Sequence, residues 1–143
     1  MKNFFKLTML CFIILVGQMN MIAQSKSGAQ LKGTDINGLA STDETYIVAL
    51  YNEKLGIIKK LTGQMQYTIA TFRDAVSVNF QQDGNLVVKN SFGDALWSSQ
   101  THNKQVKDII LQPDGQLVIR GGASGSDIIW SSRPPLDIPV IDP

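Results

Sequence analysis

The chain has 143 residues, with thirteen basic and twelve acidic side chains, a formal charge of +1 and a single cysteine. That near-neutral balance excludes the basic footprint of a nucleic-acid-binding domain and a polybasic membrane patch. One cysteine excludes a disulfide framework, so the fold must rest on an apolar core alone.

The chain opens with Lys2 and Lys6, an almost wholly apolar run over 7–16, and then Ala23-Gln24-Ser25. Charge, apolar stretch and small residues in that order predict a secretory signal peptide over 1–25. Ala23 and Ser25 form a small-x-small pair, which favours cleavage after Ser25 over cleavage after Ala23. The apolar run is short for a bilayer span, which puts a membrane anchor second. Cys11 lies inside it and follows Leu10, not the small residue of a lipoprotein signal. The expected product is therefore exported, extracellular or periplasmic, and free of cysteine. It is about 118 residues long, the size of one domain.

The segment 31–39 is expected to supply an opening strand or turn. Beyond it the chain repeats. Phe80-Gln81-Gln82-Asp83-Gly84-Asn85-Leu86-Val87-Val88-Lys89 recurs 31 residues later as Leu111-Gln112-Pro113-Asp114-Gly115-Gln116-Leu117-Val118-Ile119-Arg120. Each copy runs through a glycine-containing turn to a matching end, Leu96-Trp97-Ser98-Ser99 and Ile129-Trp130-Ser131-Ser132. A fainter copy sits 30 residues upstream, aligning Leu50 with Phe80, Glu53 with Asp83, Ile57-Ile58 with Val87-Val88, Lys59 with Lys89 and Tyr67 with Trp97. Three units follow, about 46–71, 76–101 and 107–132, within a domain over 26–133.

Each unit reads as β. Val78, Phe80, Leu86 and Val88 share one parity, and Gln81, Asp83, Asn85, Val87 and Lys89 the other. In the last copy Ile109, Leu111, Leu117 and Ile119 oppose Gln112, Asp114, Gln116, Val118 and Arg120. Period-two alternation gives a sheet with one apolar and one polar face. Asp83-Gly84 and Asp114-Gly115 are hairpin-turn dipeptides. Three such sheets bury their apolar faces against one another, which predicts an all-β, three-sided prism with a shared core. Residues 134–143 hold four of the five prolines and read as an extended tail.

A row of Gln, Asp and Asn at alternate positions suits a polyol, because it mixes acceptors and donors at the spacing of vicinal hydroxyls. Val87 and Val118 at the next alternate place offer a contact for the sugar's C–H face. At about 1 kcal/mol net per hydrogen bond, one shallow site binds a monosaccharide on the order of millimolar, about −4 kcal/mol. Several sites engaged together would be needed for useful affinity.

Gln81-x-Asp83-x-Asn85-x-Val87 resembles the Q-x-D-x-N-x-V-x-Y signature of the bulb-type (Galanthus-like, monocot mannose-binding) lectins, and Leu96-Trp97-Ser98-Ser99 resembles their common strand ending. The resemblance covers roughly 31–133. It implies the β-prism II fold with pseudo-threefold symmetry, mannose recognition without metal or other cofactor, no enzymatic activity, and homodimerisation through the C-terminal strand or tail. The middle copy matches at Gln81, Asp83, Asn85 and Val87, with Lys89 in place of the tyrosine. The last matches at Gln112, Asp114 and Val118, with Gln116 for the asparagine and Arg120 for the tyrosine. The first keeps only Ile57, while Tyr51, Glu53, Leu55 and Lys59 depart from the pattern.

Other readings stand beside these. Lys59, Lys89 and Arg120 are solvated strand ends, or Lys89 and Arg120 select an acidic glycan. Asp83 and Asp114 serve the turns as well as, or instead of, a sugar. Trp97 and Trp130 read as core before stacking platforms. His102, the only histidine, lies in the polar stretch 100–104 and reads as solvated. No metal-ligand cluster, phosphate loop or nucleophile elbow is present in the sequence beyond residue 25. The alternative function is a non-catalytic interaction or structural module, including a lectin-like toxin, on the same fold.

Overall fold

The computed structural model describes residues 29–133. The signal peptide expected over 1–25 and the tail expected over 134–143 lie outside the described residues, and with the tail its expected role in dimerisation.

The described chain is all strand and turn. Two short strands come first, β1 (Ala29–Leu31) and β2 (Thr34–Asp35). Three antiparallel units follow: β3 (Tyr46–Tyr51), β4 (Lys54–Lys59) and β5 (Gln64–Thr71); β6 (Ala75–Phe80), β7 (Leu86–Asn90) and β8 (Ala95–Ser98); β9 (Val106–Leu111), β10 (Leu117–Gly121) and β11 (Asp127–Ser131). Each unit is its own sheet, and the N-terminal segment serves all three. β1 pairs with β9, β2 pairs with β6, and an isolated bridge joins Ala40 to Ile47 of β3. The opening strand expected over 31–39 is thus a belt that lends an edge to each sheet in turn.

The apolar parity read from the sequence forms one core. Val78, Phe80, Leu86 and Val88 from the second sheet meet Ile109, Leu111, Leu117 and Ile119 from the third, all fully buried. Val48, Leu55 and Ile57 complete it from the first sheet, and Ile36 and Leu39 of the belt pack into it. Trp97 and Trp130 lie against this core and meet edge to face, centroids 5.9 Å apart at 67°. Edge-to-face packing aligns the positive ring edge with the neighbour's negative face. Three antiparallel sheets round a shared centre form the anticipated β-prism.

The faint first copy departs from its expected alignment. Leu50 pairs with Leu55 across a two-residue turn, whereas Phe80 pairs with Leu86 and Leu111 with Leu117 across turns one residue longer. Asn52 and Glu53 hold that short turn at φ 46 and 61, the signs of a type I′ hairpin. A one-residue change exchanges the two faces of everything that follows. Ile57 therefore pairs with Val48 and Tyr67 as Val88 pairs with Val78 and Trp97. It occupies the core place of Val88, not the outer place of Val87. Gly56 takes the Val87 place, and Ile58 rather than Lys59 takes the place of Lys89 and Arg120. The outer face of the first sheet is consequently apolar, a buried cluster of Ala40, Ile47, Ala49 and Ile58 with Met65 against it.

Candidate functional site

The two strong copies build the same loop. Gln81 N–H donates to Asn85 O at 2.8 Å, and Gly84 N–H to Gln81 O at 3.0 Å. Their counterparts are Gln112 to Gln116 O at 2.9 Å and Gly115 to Gln112 O at 2.9 Å. Gly84 and Gly115 sit at φ 84 and 83, which only glycine adopts without strain. Asp83 Oδ1 accepts from Asn85 N–H at 2.9 Å, and Asp114 Oδ1 from Gln116 N–H at 2.9 Å. Each aspartate thus spends one oxygen on its turn and keeps the other, Oδ2, on an exposed side chain.

Beyond the loops the copies differ. In the middle copy Asn85 is buried, and its Oδ1 accepts from Thr101 N–H at 3.1 Å and Ser99 Oγ–H at 3.2 Å. The Thr101 hydroxyl donates to Gly84 O at 2.6 Å, and its oxygen lies 2.7 Å from Ser99 Oγ. Asn85 therefore anchors the loop through its oxygen and leaves its Nδ2 amide without an internal acceptor among the described residues. Val87 is buried between Asn79 and Ser98 on the neighbouring strands. Lys89 is half-buried opposite Ser77 and makes no ion pair among the described residues. Gln81 is half-buried, and its carboxamide meets no partner among the described residues. Ser77, Asn79, Ser98 and Lys89 surround Val87 in register, so this outer face is polar.

In the third copy the equivalent groups are engaged internally. Gln116 Nε2 donates to Arg133 O at 2.7 Å, and Asp114 Oδ2 lies 3.7 Å from Arg133 Nη2. Arg120 forms a two-pronged ion pair with Asp108, Nε to Oδ1 at 2.8 Å and Nη2 to Oδ2 at 2.7 Å. Asp108 is 3% exposed, so the guanidinium compensates a buried carboxylate. These hydrogen bonds push the Arg120 pKa above its ordinary value. Arg120 is thus neither a solvated strand end nor an open cation. Gln112 is half-buried, and Val118 is sealed in the sheet.

Sequence reasoning missed three participants. Asp108 was findable, since the register that pairs Leu111 with Leu117 also pairs Asp108 with Arg120. Thr101 carries no signal in the sequence beyond closing the unit 76–101. Tyr67 was read as a counterpart of Trp97, yet its hydroxyl crosses to the third sheet. It donates to Gly115 O at 2.7 Å and shares a hydrogen bond with Ser132 Oγ at 2.6 Å. It does for Gly115 and Ser132 what Thr101 does for Gly84 and Ser99. Burial pushes the Tyr67 phenol above its ordinary pKa, with the Ser132 hydrogen bond and the Arg133 charge opposing. Trp97 and Trp130 pack on the core, and His102 is exposed in a turn.

The fold is similar to that of a lectin from Japanese Marasmius oreades, with TM-score 0.56 and 21% identity, over 74% of this chain and 85% of that one. It is also similar to a monomeric monocot mannose-binding lectin from Gastrodia elata, with TM-score 0.55 and 26% identity, over 73% of this chain and 94% of that one. No protein-family model and no curated protein sequence matches the chain. The likenesses place the architecture among the β-prism lectins.

Proposed function

We propose that the protein is an exported, non-catalytic lectin that takes a mannose-type glycan, without metal, on the outer face of the middle sheet. Gln81, Asp83, Asn85 and Val87 form the site and Lys89 its edge. One observation carries this reading. The middle row keeps Asp83 Oδ2, the Gln81 carboxamide and Asn85 Nδ2 outside any internal hydrogen bond among the described residues, while Gln116, Asp114 and Arg120 of the third row are engaged. Those open groups mix an acceptor with donors, which a pair of vicinal hydroxyls requires. The likeness to the mannose-binding Gastrodia lectin agrees with it.

The test is retention on mannose–agarose with elution by free mannose. Asp83→Asn keeps an oxygen for the Asn85 turn and removes the carboxylate. Retention of the wild type and loss in the variant are expected. Equal retention of both, or of neither, sinks the proposal. Lys89 adds a second readout: a glycan array on which Lys89→Ala lowers binding to acidic glycans alone assigns selectivity to that cation. An array unchanged by the substitution makes Lys89 a solvated strand end.

A second reading has its own observation. Leu31 and Ile128 are 67% and 58% exposed and flank the Asp108–Arg120 pair across the third sheet. Exposed aliphatic side chains on a sheet face suit a protein contact, so an interaction module remains the alternative. Loss of a protein partner in Ile128→Asp, with mannose retention intact, would favour it.

A further inference from the structure

A pocket of about 370 Å³ opens where the first sheet meets the β9–β10 turn, lined by Tyr46, Gln66, Tyr67, Asp114, Gly115 and Arg133. Of the outer polar rows on the second and third sheets it shares only Asp114. Its volume lies in the lower part of the range of roughly 300–1,000 Å³ typical of small-molecule sites. We infer that it is a second saccharide site, sized for a neutral pyranose and independent of the middle row.

The lining argues for that ligand class. Tyr46 packs beside Gly115, where even a methyl group would lie 3.5 Å from its ring carbons. The Tyr67 hydroxyl is committed to Gly115 and Ser132, which fixes that ring in place. Two tyrosines then line one cavity, and an aromatic face attracts the polarised C–H groups of a sugar. Polar groups converge beside them. Asp114 spends Oδ1 on its own turn, and its Oδ2 is held only loosely, 3.7 Å from Arg133 Nη2, beyond hydrogen-bond distance. Gln66 donates Nε2 to Gln64 O at 3.2 Å, leaving its carbonyl oxygen as an acceptor.

Arg133 supplies the donor. Its guanidinium carbon lies 5.4 Å from the centre of the Tyr67 ring, and Nη2 donates to Asp114 O at 2.8 Å. Its Nε is buried and meets no partner among the described residues. A buried donor left unpaired is costly, so a small swing that brings Nε to a ligand hydroxyl is rewarded. An anion is disfavoured, because the Asp114 carboxylate sits 3.7 Å from the guanidinium and offsets its charge. A wholly apolar ligand is disfavoured, because it would leave Nε unpaired and strip water from the Asp114–Arg133 pair. A polyol with one C–H face answers every group. Asp114, matched by sequence to the third copy's sugar row, therefore serves this pocket instead.

The experiment is an amide and arginine Nε–H NMR titration of the full chain with methyl α-mannoside, methyl α-glucoside and methyl β-galactoside. Wild type, Asp83→Asn, Asp114→Asn and Gln66→Ala are compared, with thermal unfolding as a folding check. At least one glycoside is expected to shift Gln66, Gly115 and the Arg133 Nε–H together. Asp114→Asn should weaken that response tenfold or more, Gln66→Ala severalfold, and Asp83→Asn not at all. Shifts confined to 81–87, an Asp114→Asn titration equal to wild type, or no response to any glycoside overturns the inference. The middle-row proposal fails separately, by insensitivity of mannose retention to Asp83→Asn.

Discussion

Tyr67 joins two sheets through a single oxygen, so its removal is a clean measurement. Tyr67→Phe keeps the ring against the core and deletes both hydrogen bonds, leaving Gly115 O without its donor. A loss of about 1–3 kcal/mol is expected in urea unfolding. The phenol also predicts a pH dependence. Its folded pKa is raised, so its contribution is fully present below the ordinary phenol value and fades as pH rises through the folded value. Ultraviolet titration should show a late tyrosinate component that Tyr67→Phe abolishes. The Asp108–Arg120 pair behaves differently. Arg120→Met strands a carboxylate that is 3% exposed. The cost expected is about 2 kcal/mol, below the ~3–5 of a fully buried pair because the Arg120 side chain is 30% exposed. Asp108→Val with Arg120→Met should recover most of that loss.

At the scale of the element, the two matching loops ask the same backbone of their glycines but leave them unequal space. Both hold positive φ, which costs a side chain about 1–2 kcal/mol. A methyl at Gly84 would also lie 2.7 Å from Val106 Cβ, whereas one at Gly115 meets the Tyr46 ring at ordinary contact distance. Gly84→Ala should therefore destabilise by about 1–3 kcal/mol more than Gly115→Ala, as read by the shift in urea midpoint. Legibility followed the strength of the repeat. The alternation in the second and third copies placed Val78, Phe80, Leu86, Val88 and their counterparts in the core without error. The first copy lacked a turn dipeptide to anchor its register, so the missing residue before Leu55 was invisible, and Ile57 and Lys59 were set one place out. Engagement of side chains was less legible than their placement. Strand spacing brings Asn85 and Gln116 to like positions, but their partners, Thr101 and Arg133, lie outside the strands, where alternation carries no information.

For the molecule as a whole, one core shared by three sheets leaves no unit able to bury its apolar face alone. Ile119→Ala should lower stability by about 2–5 kcal/mol. Far-ultraviolet circular dichroism and tryptophan fluorescence should lose structure in one coincident transition, because the sheets rise and fall together. Two separate transitions would show that a sheet stands on its own.

The belt and the Tyr67 bridge also impose a timetable on synthesis. The third sheet takes its edge from Ala29–Leu31 and its loop closure from Tyr67, both made long before β11. At roughly 5–20 residues per second on the ribosome, those early segments wait several seconds for the partners they were made to hold. A nascent chain halted before Asp127 would thus carry a β10 with one bare edge and a tyrosine still lacking Ser132, a species for chaperones to guard rather than a smaller working protein.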